Sequence, residues 1–390
     1  MLSTVSGVFL VESAHLNPLQ LVLVGTALEA SAFVFEVPTG VVASRRLSIV
    51  IGVFLTGAGF LMWGGFTFFW TILLAQVMWG IGYTFTSGAT EAWIADEVGE
   101  ERAGPAFLRG SQAGQVGALI GIILSVVFAS ITLSLPLILA GACMLALAVF
   151  LVVFMPERGF IREPKSHRNS GQEMLNTTRK GLRTVRGKPV LVTILLIAAI
   201  YGAASEGFDR LNVALLLNNI GLPSLGRFDP VVWFAVISAG GLLFSLVASE
   251  IVRRRIDTTS HFAVAGYLSA INALLIVTVV GFALAGNFAI AVAAMWATQL
   301  LRRTNVPLKT VWVNQSLEPS VRATVFSMAS QADSLGQILG GPILGIIATV
   351  ISVRAGIGVA GLFLAPALVL YARTLRRPAI GSEKMPTGSR

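Results

Sequence analysis

The sequence predicts an all-α polytopic membrane protein with twelve transmembrane helices in two pseudo-symmetric six-helix bundles. Two compositional observations support the membrane assignment: 55% of the 390 residues are hydrophobic and only 12% are charged. A soluble domain carries roughly 25% charged residues, so this composition suits lipid as the solvent. The third observation is an internal repeat, which predicts the division into two halves.

Twelve apolar runs alternate with short polar segments along the chain. A helix needs about 20 apolar residues to cross the hydrocarbon core of a bilayer. The first run is much shorter, since its residues rise only about 15 Å, and helix 1 is therefore expected to be truncated. The runs cover residues 2–11, 18–43, 47–65, 68–95, 105–129, 133–155, 190–208, 230–252, 261–284, 288–313, 323–352 and 356–373.

A long basic segment separates the first six runs from the last six. We predict an N-terminal bundle over residues 1–155, a basic cytoplasmic linker over 156–189, a C-terminal bundle over 190–373 and a cytoplasmic tail over 374–390. Most of the 28 Lys and Arg residues follow the even-numbered helices. The positive-inside rule therefore places these segments and the C-terminus in the cytoplasm, for a multi-pass protein of the inner (plasma) membrane.

Two stretches of the chain align when it is compared with itself at an offset of 219 residues. Chance supplies single matches at any offset, but these fall in helices 4, 5, 10 and 11. The matched pairs are Trp93 with Trp312, Ser111 with Ser330, Gln112 with Gln331, Ala113 with Ala332, Gly117 with Gly336 and Gly121 with Gly340. They indicate two halves related by a pseudo-two-fold axis along the membrane normal, as in many secondary transporters.

Three motifs resemble the Major Facilitator Superfamily, and in particular its bacterial drug-efflux branch of drug/proton antiporters. Residues 35–43 (FEVPTGVVA) resemble the end of helix 2 leading into the family's signature loop. Residues 80–82 (GIG) resemble the core of a second signature in helix 4. Residues 336–342 (GQILGGP) are similar to the antiporter motif, which the family usually carries in helix 5. The resemblance implies export of small amphipathic or drug-like molecules by alternating access, as in multidrug efflux and antibiotic resistance.

The chain departs from these motifs at two places. The signature loop normally continues Gly-x-x-x-Asp-x-x-Gly-Arg-Arg, whereas here Ala43 runs directly into Ser44, so three residues, including the gating aspartate, are absent. Gln76 takes the place of the second signature's arginine. Because of these departures, a transport-dead membrane sensor is an alternative function. A dedicated exporter of one metabolite, such as a siderophore or a lysolipid, is a second alternative, because such exporters share the architecture.

Carboxyl groups within the predicted helices are candidates for proton coupling. An ionisable side chain at the bilayer centre costs roughly 2.5–3.5 kcal/mol on insertion scales, so each should face a cavity or a partner. Glu29 and Asp333 both lie near the predicted midplane, and Glu29 is the preferred proton carrier. The alternative is a carboxyl that only holds two helices together by hydrogen bonding.

Other side chains are candidates for the substrate cavity. Phe33 lies one turn after Glu29 and is expected to line the substrate path. Arg302 and Arg303 are expected to pair with Asp333, either to attract an anionic substrate or as a purely structural contact. The remaining candidates, all on predicted cavity helices, are the aromatic residues Tyr83 and Trp296.

Two further clusters of charged residues lie nearer the ends of the helices. The family resemblance implies a cytoplasmic gate built from Arg45, Arg46, Glu91, Asp96 and Arg109. Towards the opposite end of helix 7, a second group is expected to be an interfacial cluster rather than a carrier site; its members are Glu206, Asp209 and Arg210.

The sequence offers no motif for other chemistry. It contains no Gly-x-x-x-x-Gly-Lys-Ser/Thr phosphate loop and no nucleophile–base pattern, so neither ATP-driven transport nor an enzyme is expected. The single cysteine, Cys143, and three dispersed histidines give no metal signature, and no cofactor is expected. The net charge of +9 lies between apolar runs and does not indicate nucleic acid. The expected partners are a small-molecule substrate, protons and the lipid bilayer, with the protein acting as a monomer.

Overall fold

The computed structural model describes residues 2–39, 44–157, 189–224, 230–255, 260–317 and 319–375, which form helices and short connections with no β-strand. In chain order the helices are α1 Leu2–Val8, α2 Pro18–Thr39, α3 Arg45–Gly65, α4 Phe69–Thr86, α5 Ala89–Val98, α6 Glu100–Ala129, α7 Leu135–Phe154, α8 Pro189–Ala214, α9 Val231–Arg255, α10 His261–Ala283, α11 Phe288–Ser316, α12 Pro319–Val350, α13 Val353–Phe363 and α14 Ala365–Leu375. Two π-helical segments, Phe9–Ser13 and Leu215–Ile220, extend α1 and α8.

Within the described residues, eight helical stretches are long and apolar enough to cross a membrane. Together with the remaining helices they follow the twelve predicted runs, which confirms the all-α fold class. Helix α11 carries three basic residues, Arg302, Arg303 and Lys309, well inside its length. A charged helix is stable in a bilayer when its charges face a cavity or a partner. The charges of α11 are therefore expected to face a cavity or a partner on a neighbouring helix.

Two predicted spans are broken in the structure. The span over residues 68–95 divides into α4 and α5 at Gly88, whose φ of 71° lies in the left-handed region that favours glycine. The span over residues 356–373 divides at Leu364 into α13 and α14. Several helix starts are capped as their sequences suggest: Ser44, Ser260, Asn287 and Ser352 each accept a hydrogen bond from a backbone N–H in the first turn.

The first half of the chain packs around α3, which contacts α4 and α7, while α2 packs on α4. Phe60, Trp63, Ile72 and Leu137 are buried in its core. The Trp79 ring meets the Phe60 ring edge-on, with centroids 5.1 Å apart. Trp79 is therefore part of the N-terminal core.

The second half packs around α8, which contacts α12 and α13, while α10 contacts α11, α13 and α14. Its core includes Leu191, Leu268, Trp312 and Tyr371, all essentially inaccessible. The rings of Trp312 and Tyr371 lie edge-to-face with centroids 5.7 Å apart. These contacts fix α8, α11 and α14 relative to one another and so define the walls of the site described below.

The two halves meet along α2 and α12. The Leu19 backbone N–H donates to Thr349 Oγ1 at 3.0 Å. A Cβ added at Gly341 would lie 2.9 Å from Thr26 Oγ1, and one at Gly345 would lie 3.0 Å from the Leu19 side chain. The glycines of α12 therefore permit close approach of the two backbones.

Helix α6 behaves differently along its length. Its last turns pack with α9, where Ala129 joins a buried cluster containing Phe234 and Ile237. In contrast, nearly every side chain between residues 104 and 120 is exposed. The glycines at 104, 110, 114 and 117 have no heavy atom within 4 Å of an added Cβ. The halves are thus closed at the C-terminal end of α6 and separated at its N-terminal end.

Candidate functional site

A cavity of about 300 Å³ lies among α8, α10, α11, α12 and α13. Its walls combine charged, polar and aromatic side chains, in contrast with the apolar clusters on either side. The charged side chains that line it are Asp209, Arg302, Lys309 and Asp333. All four lie within helices that the sequence predicts to span the membrane, where a charged residue is a candidate for a functional site.

Arg302 forms a two-point ion pair across the cavity. Its Nη1 and Nη2 donate to the two carboxylate oxygens of Asp209 at 2.6 and 2.8 Å. The guanidinium also lies 5.9 Å from the centroid of the Phe208 ring. A planar guanidinium matched to a carboxylate is the strongest pairing geometry available to arginine.

This geometry corrects two predictions. Arg302 pairs with Asp209 on α8, not with Asp333, and Asp209 lines the cavity instead of belonging only to an interfacial cluster. Arg303 is exposed and does not line the cavity, because it lies about 100° around the helix from Arg302. One sequence signal marks Asp209: it shares a helical face with Tyr201 and Ser205, at a spacing of four residues.

A hydrogen-bond network fixes the aromatic wall of the cavity. The Tyr201 hydroxyl donates to Asn272 Oδ1 at 2.8 Å and accepts from Asn305 Nδ2 at 3.2 Å. Asn272 Nδ2 in turn donates to the Leu364 carbonyl, at the break between α13 and α14, at 3.0 Å. The sequence analysis did not single out the two asparagines, because their partners lie on distant helices.

Asp333 and Lys309 complete the charged lining. Asp333 Oδ2 accepts a hydrogen bond from Gln337 Nε2, one turn further along α12, at 2.8 Å. The Lys309 ammonium lies 5.7 Å from the centroid of the Tyr201 ring. In the ranges that the structure describes, no carboxylate lies at ion-pair distance from Lys309. Lys309 is therefore a cavity residue that sequence reasoning did not single out.

A second charged cluster lies where the two halves meet. Arg210 Nε donates to Glu206 Oε2 at 3.2 Å, and the Glu206 side chain is only 3% exposed. This pair packs directly on Gly25 of α2. Glu29, one turn further along α2, accepts a hydrogen bond from Ser334 of α12 at 3.4 Å. The predicted proton carrier thus faces the second half of the chain, beside an ion pair.

The two clusters interact electrostatically, because Glu29 lies in the fields of Arg210 and Asp333, and Arg302 in those of Asp333 and Glu206. Together they contain four carboxyl groups and three cationic groups. The carboxyls are those of Glu29, Glu206, Asp209 and Asp333, and the cations are Arg210, Arg302 and Lys309. When all seven are ionised the network carries one net negative charge.

The other substrate-cavity candidates lie elsewhere. Phe33 is half-buried on α2, and Tyr83 is 58% exposed on α4. Trp296 packs on Gly240, and its indole N–H donates to the Ile237 carbonyl at 3.0 Å, so it joins α11 to α9. None of the three lines the cavity in the C-terminal half. Their place in a substrate path elsewhere in the protein stays a prediction.

The predicted gate residues are only partly brought together. Arg45 Nε and Asp96 Oδ2 lie 3.9 Å apart, and Arg46 donates to the Val152 carbonyl. Glu91 and Arg109 are both exposed, and among the described residues they form no ion pair with each other. Their role in a gate stays a prediction.

Sequence reasoning missed Glu157 at the same end of the first half. Its carboxylate accepts from the Ser44 hydroxyl at 2.9 and 3.0 Å and from the Arg46 backbone N–H at 3.1 Å. Since Ser44 caps α3, Glu157 ties the start of α3 to the end of α7. Its position just after an apolar run gave no sign of this contact.

We expect Gly25→Val to move the halves apart at the Glu206–Arg210 pair. A Cβ at residue 25 would collide with the Arg210 guanidinium and the Glu206 carboxylate. Overpacking of this kind costs about 1–3 kcal/mol, so the closed arrangement at this level should lose population. Spin labels at Ser130→Cys and Ser224→Cys, in a Cys143→Ser background, would report an increased distance. Gly114→Val is the control, because no atom lies within 4 Å of its Cβ; equal distances in both variants would contradict the packing argument.

The fold and the site together define a class: an integral membrane protein of two helical halves with a charged cavity at membrane depth. The chain matches the family model of the Major Facilitator Superfamily over residues 1–305. It belongs to this superfamily and is a transporter, not an enzyme.

Relatives and solved structures agree with this assignment. The uncharacterized MFS-type transporter YxaM of Bacillus subtilis (strain 168) is 25% identical over 369 residues, covering 90% of this chain and 86% of YxaM. A bacterial homologue of the human lysosomal transporter Spinster, in an inward-facing and occupied conformation, matches with a TM-score of 0.72 at 14% identity, over 96% of this chain and 92% of that one. The nucleoside transporter NupG matches with a TM-score of 0.71 at 14% identity, over 96% and 94%. These likenesses show a shared fold.

Proposed function

We propose that the protein exports small amphipathic or drug-like molecules by alternating access in exchange for protons, acting as a monomer in the inner membrane. The observation that carries the proposal is the network of four carboxyls and three cations shared by the two halves. A transporter driven by protons needs a group that binds a proton at membrane depth and whose surroundings change when the two halves move. Glu29 meets both requirements, because it lies on α2 and contacts Ser334 of α12.

Charge balance supports the exchange of one proton. A net negative charge inside a low-dielectric region is costly, and binding of one proton makes the network neutral. Glu206 and Asp209 each hold a guanidinium at 3.2 Å or less, and Asp333 is hydrogen-bonded to Gln337. Among the residues that the structure describes, Glu29 has only a hydroxyl partner, Ser334, at 3.4 Å. Glu29 is therefore the group in this network that gains most from binding the proton.

The packing of the halves supports alternating access. With the C-terminus in the cytoplasm, the N-terminal end of α6 also faces the cytoplasm and the closed end faces outward. The arrangement is then open to the cytoplasm, from which an exporter takes its substrate. The close contacts of Gly341 and Gly345 with α2 form the closed outer side. Opening this side and closing the other completes one transport cycle.

A second candidate is a dedicated exporter of one metabolite with a charged group. The polar lining of the cavity, with the Arg302–Asp209 pair and Lys309, favours this reading over a purely apolar drug site. A broad panel of compounds distinguishes the two. Everted membrane vesicles would be energised with a pH gradient, and uptake measured for each compound before and after the gradient is collapsed. Uptake of chemically diverse compounds supports drug export, and gradient-independent uptake of all of them would contradict proton exchange.

Orientation is tested by cysteine labelling in sealed cells. In a Cys143→Ser background, a membrane-impermeant thiol reagent should modify Ser224→Cys, which is exposed after α8, on the outside. Ser166→Cys, in the basic segment outside the described residues, should be labelled only after the cells are permeabilised. The reverse pattern would overturn the cytoplasmic location of the linker and the C-terminus.

A further inference from the structure

We propose that the cavity in the C-terminal half binds its substrates through a carboxylate group, which the Lys309 ammonium holds. The inference rests on the proposed function, because it names the chemical class that the transporter carries. The expected substrates carry a carboxylate attached to a compact apolar or aromatic group.

The first argument is the pairing of the cations. Arg302 is held at two points by Asp209, and Arg210 is held by Glu206. Lys309 also lies in a membrane-spanning helix and lines the cavity, yet among the described residues it has no carboxylate at ion-pair distance. Two of the three cations are thus held at hydrogen-bond distance by carboxylates. Lys309 lies in the field of Asp333 without a carboxylate that contacts it among the described residues, so its N–H donors are available to a ligand.

The second argument is the setting of that ammonium. It lies over the Tyr201 ring, at 5.7 Å from the centroid. Tyr201 is itself held in place by Asn272 and Asn305. A ring fixed in this way orients the ammonium by electrostatic attraction to its π-face. It does not supply the oxygen acceptors that the three N–H donors of the ammonium can bind, and a cation–π contact is weaker than an ion pair. A carboxylate would supply the missing acceptor.

The third argument is the remainder of the wall. Phe208, Leu275 and Val279 give an apolar side that suits an aromatic or alkyl group. The cavity volume of about 300 Å³ is at the lower end of the range for small-molecule sites. Asp333 lies on the same wall, which raises a competing possibility: a cationic substrate held by Asp333. The Gln337 amide already donates to that carboxylate, so the ammonium of Lys309 is the less satisfied of the two charges.

Binding of three matched probes to the purified full-length protein in nanodiscs tests the inference. Phenylacetate, phenylacetamide and phenethylamine share one ring and differ in the charge of the group attached to it. Isothermal titration should show phenylacetate binding at least about tenfold more tightly than the amide, a difference typical of one charge-assisted contact. Lys309→Met should remove this preference, and Lys309→Arg should retain most of it.

Arg303→Met is the matched control, because Arg303 lies on the same helix, carries the same charge and is exposed away from the cavity. It should leave the preference unchanged. Equal affinity for the carboxylate and the amide, tighter binding of the amine, no binding of any probe at millimolar concentration, or a preference that survives Lys309→Met would each overturn the inference. Lys309→Arg keeps the test valid if the methionine variant does not fold.

The outcome is separable from that of the proposed function. A carboxylate preference that depends on Lys309, without any pH-driven flux, would support the site and contradict proton exchange. Proton-driven export of neutral or cationic compounds, without a carboxylate preference, would support exchange and contradict the site.

Discussion

Glu29→Gln is expected to abolish uphill transport driven by a pH gradient while leaving downhill exchange largely intact. Glutamine keeps the size of the side chain and can still accept a hydrogen bond from Ser334, but it cannot bind or release a proton. The charged network then holds three carboxylates and three cations, which balance in every step of the cycle. The substrate can still cross as the halves alternate, but its movement is no longer tied to a proton.

The expected loss is large because the proton is the energy source. One charge moving through a potential of 100 mV releases about 2.3 kcal/mol, which corresponds to roughly fiftyfold accumulation before any pH gradient is added. Without coupling, accumulation falls to the equilibrium value of one. Proteoliposomes with an imposed pH gradient measure uphill uptake, and substrate counterflow in the same vesicles measures exchange.

Glu36→Gln is the matched control, since it makes the same substitution on the same helix. Glu36 is exposed and its carboxylate accepts from Gln331 of α12, a contact that a glutamine oxygen can also accept. Its accumulation should stay close to that of the parent protein. Full uphill transport by Glu29→Gln would remove Glu29 from the mechanism and transfer the proton to Asp333.

Breaking the ion pair between Asp209 and Arg302 is expected to reduce transport by about tenfold or more. Either Asp209→Asn or Arg302→Gln leaves one charge unpaired at membrane depth, which costs more than the pair itself contributes. The two side chains are 43% and 37% exposed towards the cavity, so water screens part of this cost and the protein should still fold. The unpaired charge then competes with the substrate for the remaining groups of the cavity.

The double variant Asp209→Asn with Arg302→Gln separates charge balance from direct binding. If the pair positions α8 against α11, the double variant should recover much of the activity that each single change removes. Arg303→Gln on the same helix should have little effect. Single variants as active as the parent in initial-rate uptake would contradict a role for the pair in transport.

The fold was predictable because it depends on properties that are local in sequence. Apolar runs long enough to cross a bilayer are visible as such, and the offset that aligns Trp93 with Trp312 relates the two halves. The breaks within two of the predicted spans were harder to predict from the sequence. Gly88 interrupts its helix through a left-handed backbone conformation, and the second break falls at Leu364; an apolar run reveals neither.

The sequence predicted how deep the site residues lie in the membrane, but not which charged side chains pair with each other. Counting residues from a helix start places Arg302, Asp209 and Glu29 along the membrane normal. It does not give the rotation of one helix relative to another, and rotation decides whether Arg302 meets Asp209 or Asp333. The same limit explains why Trp296 joins α9 and α11 instead of lining the cavity.

We expect protonation of Glu29 to control which side of the transporter is open. Two pairs of spin labels in a Cys143→Ser background test it directly, without a known substrate. Ser111→Cys with Ser327→Cys reports the predicted cytoplasmic side, and Ser130→Cys with Ser224→Cys reports the outer side; all four positions are exposed. Distances are measured across a range of pH, with and without Glu29→Gln.

The parent protein is expected to shift between two distance distributions as the pH changes, with opposite changes at the two label pairs. Glu29→Gln should show the low-pH distribution of the parent at every pH, because glutamine imitates the protonated carboxyl. Distributions in the parent that do not respond to pH, or a Glu29→Gln variant that still responds as the parent does, would contradict the claim.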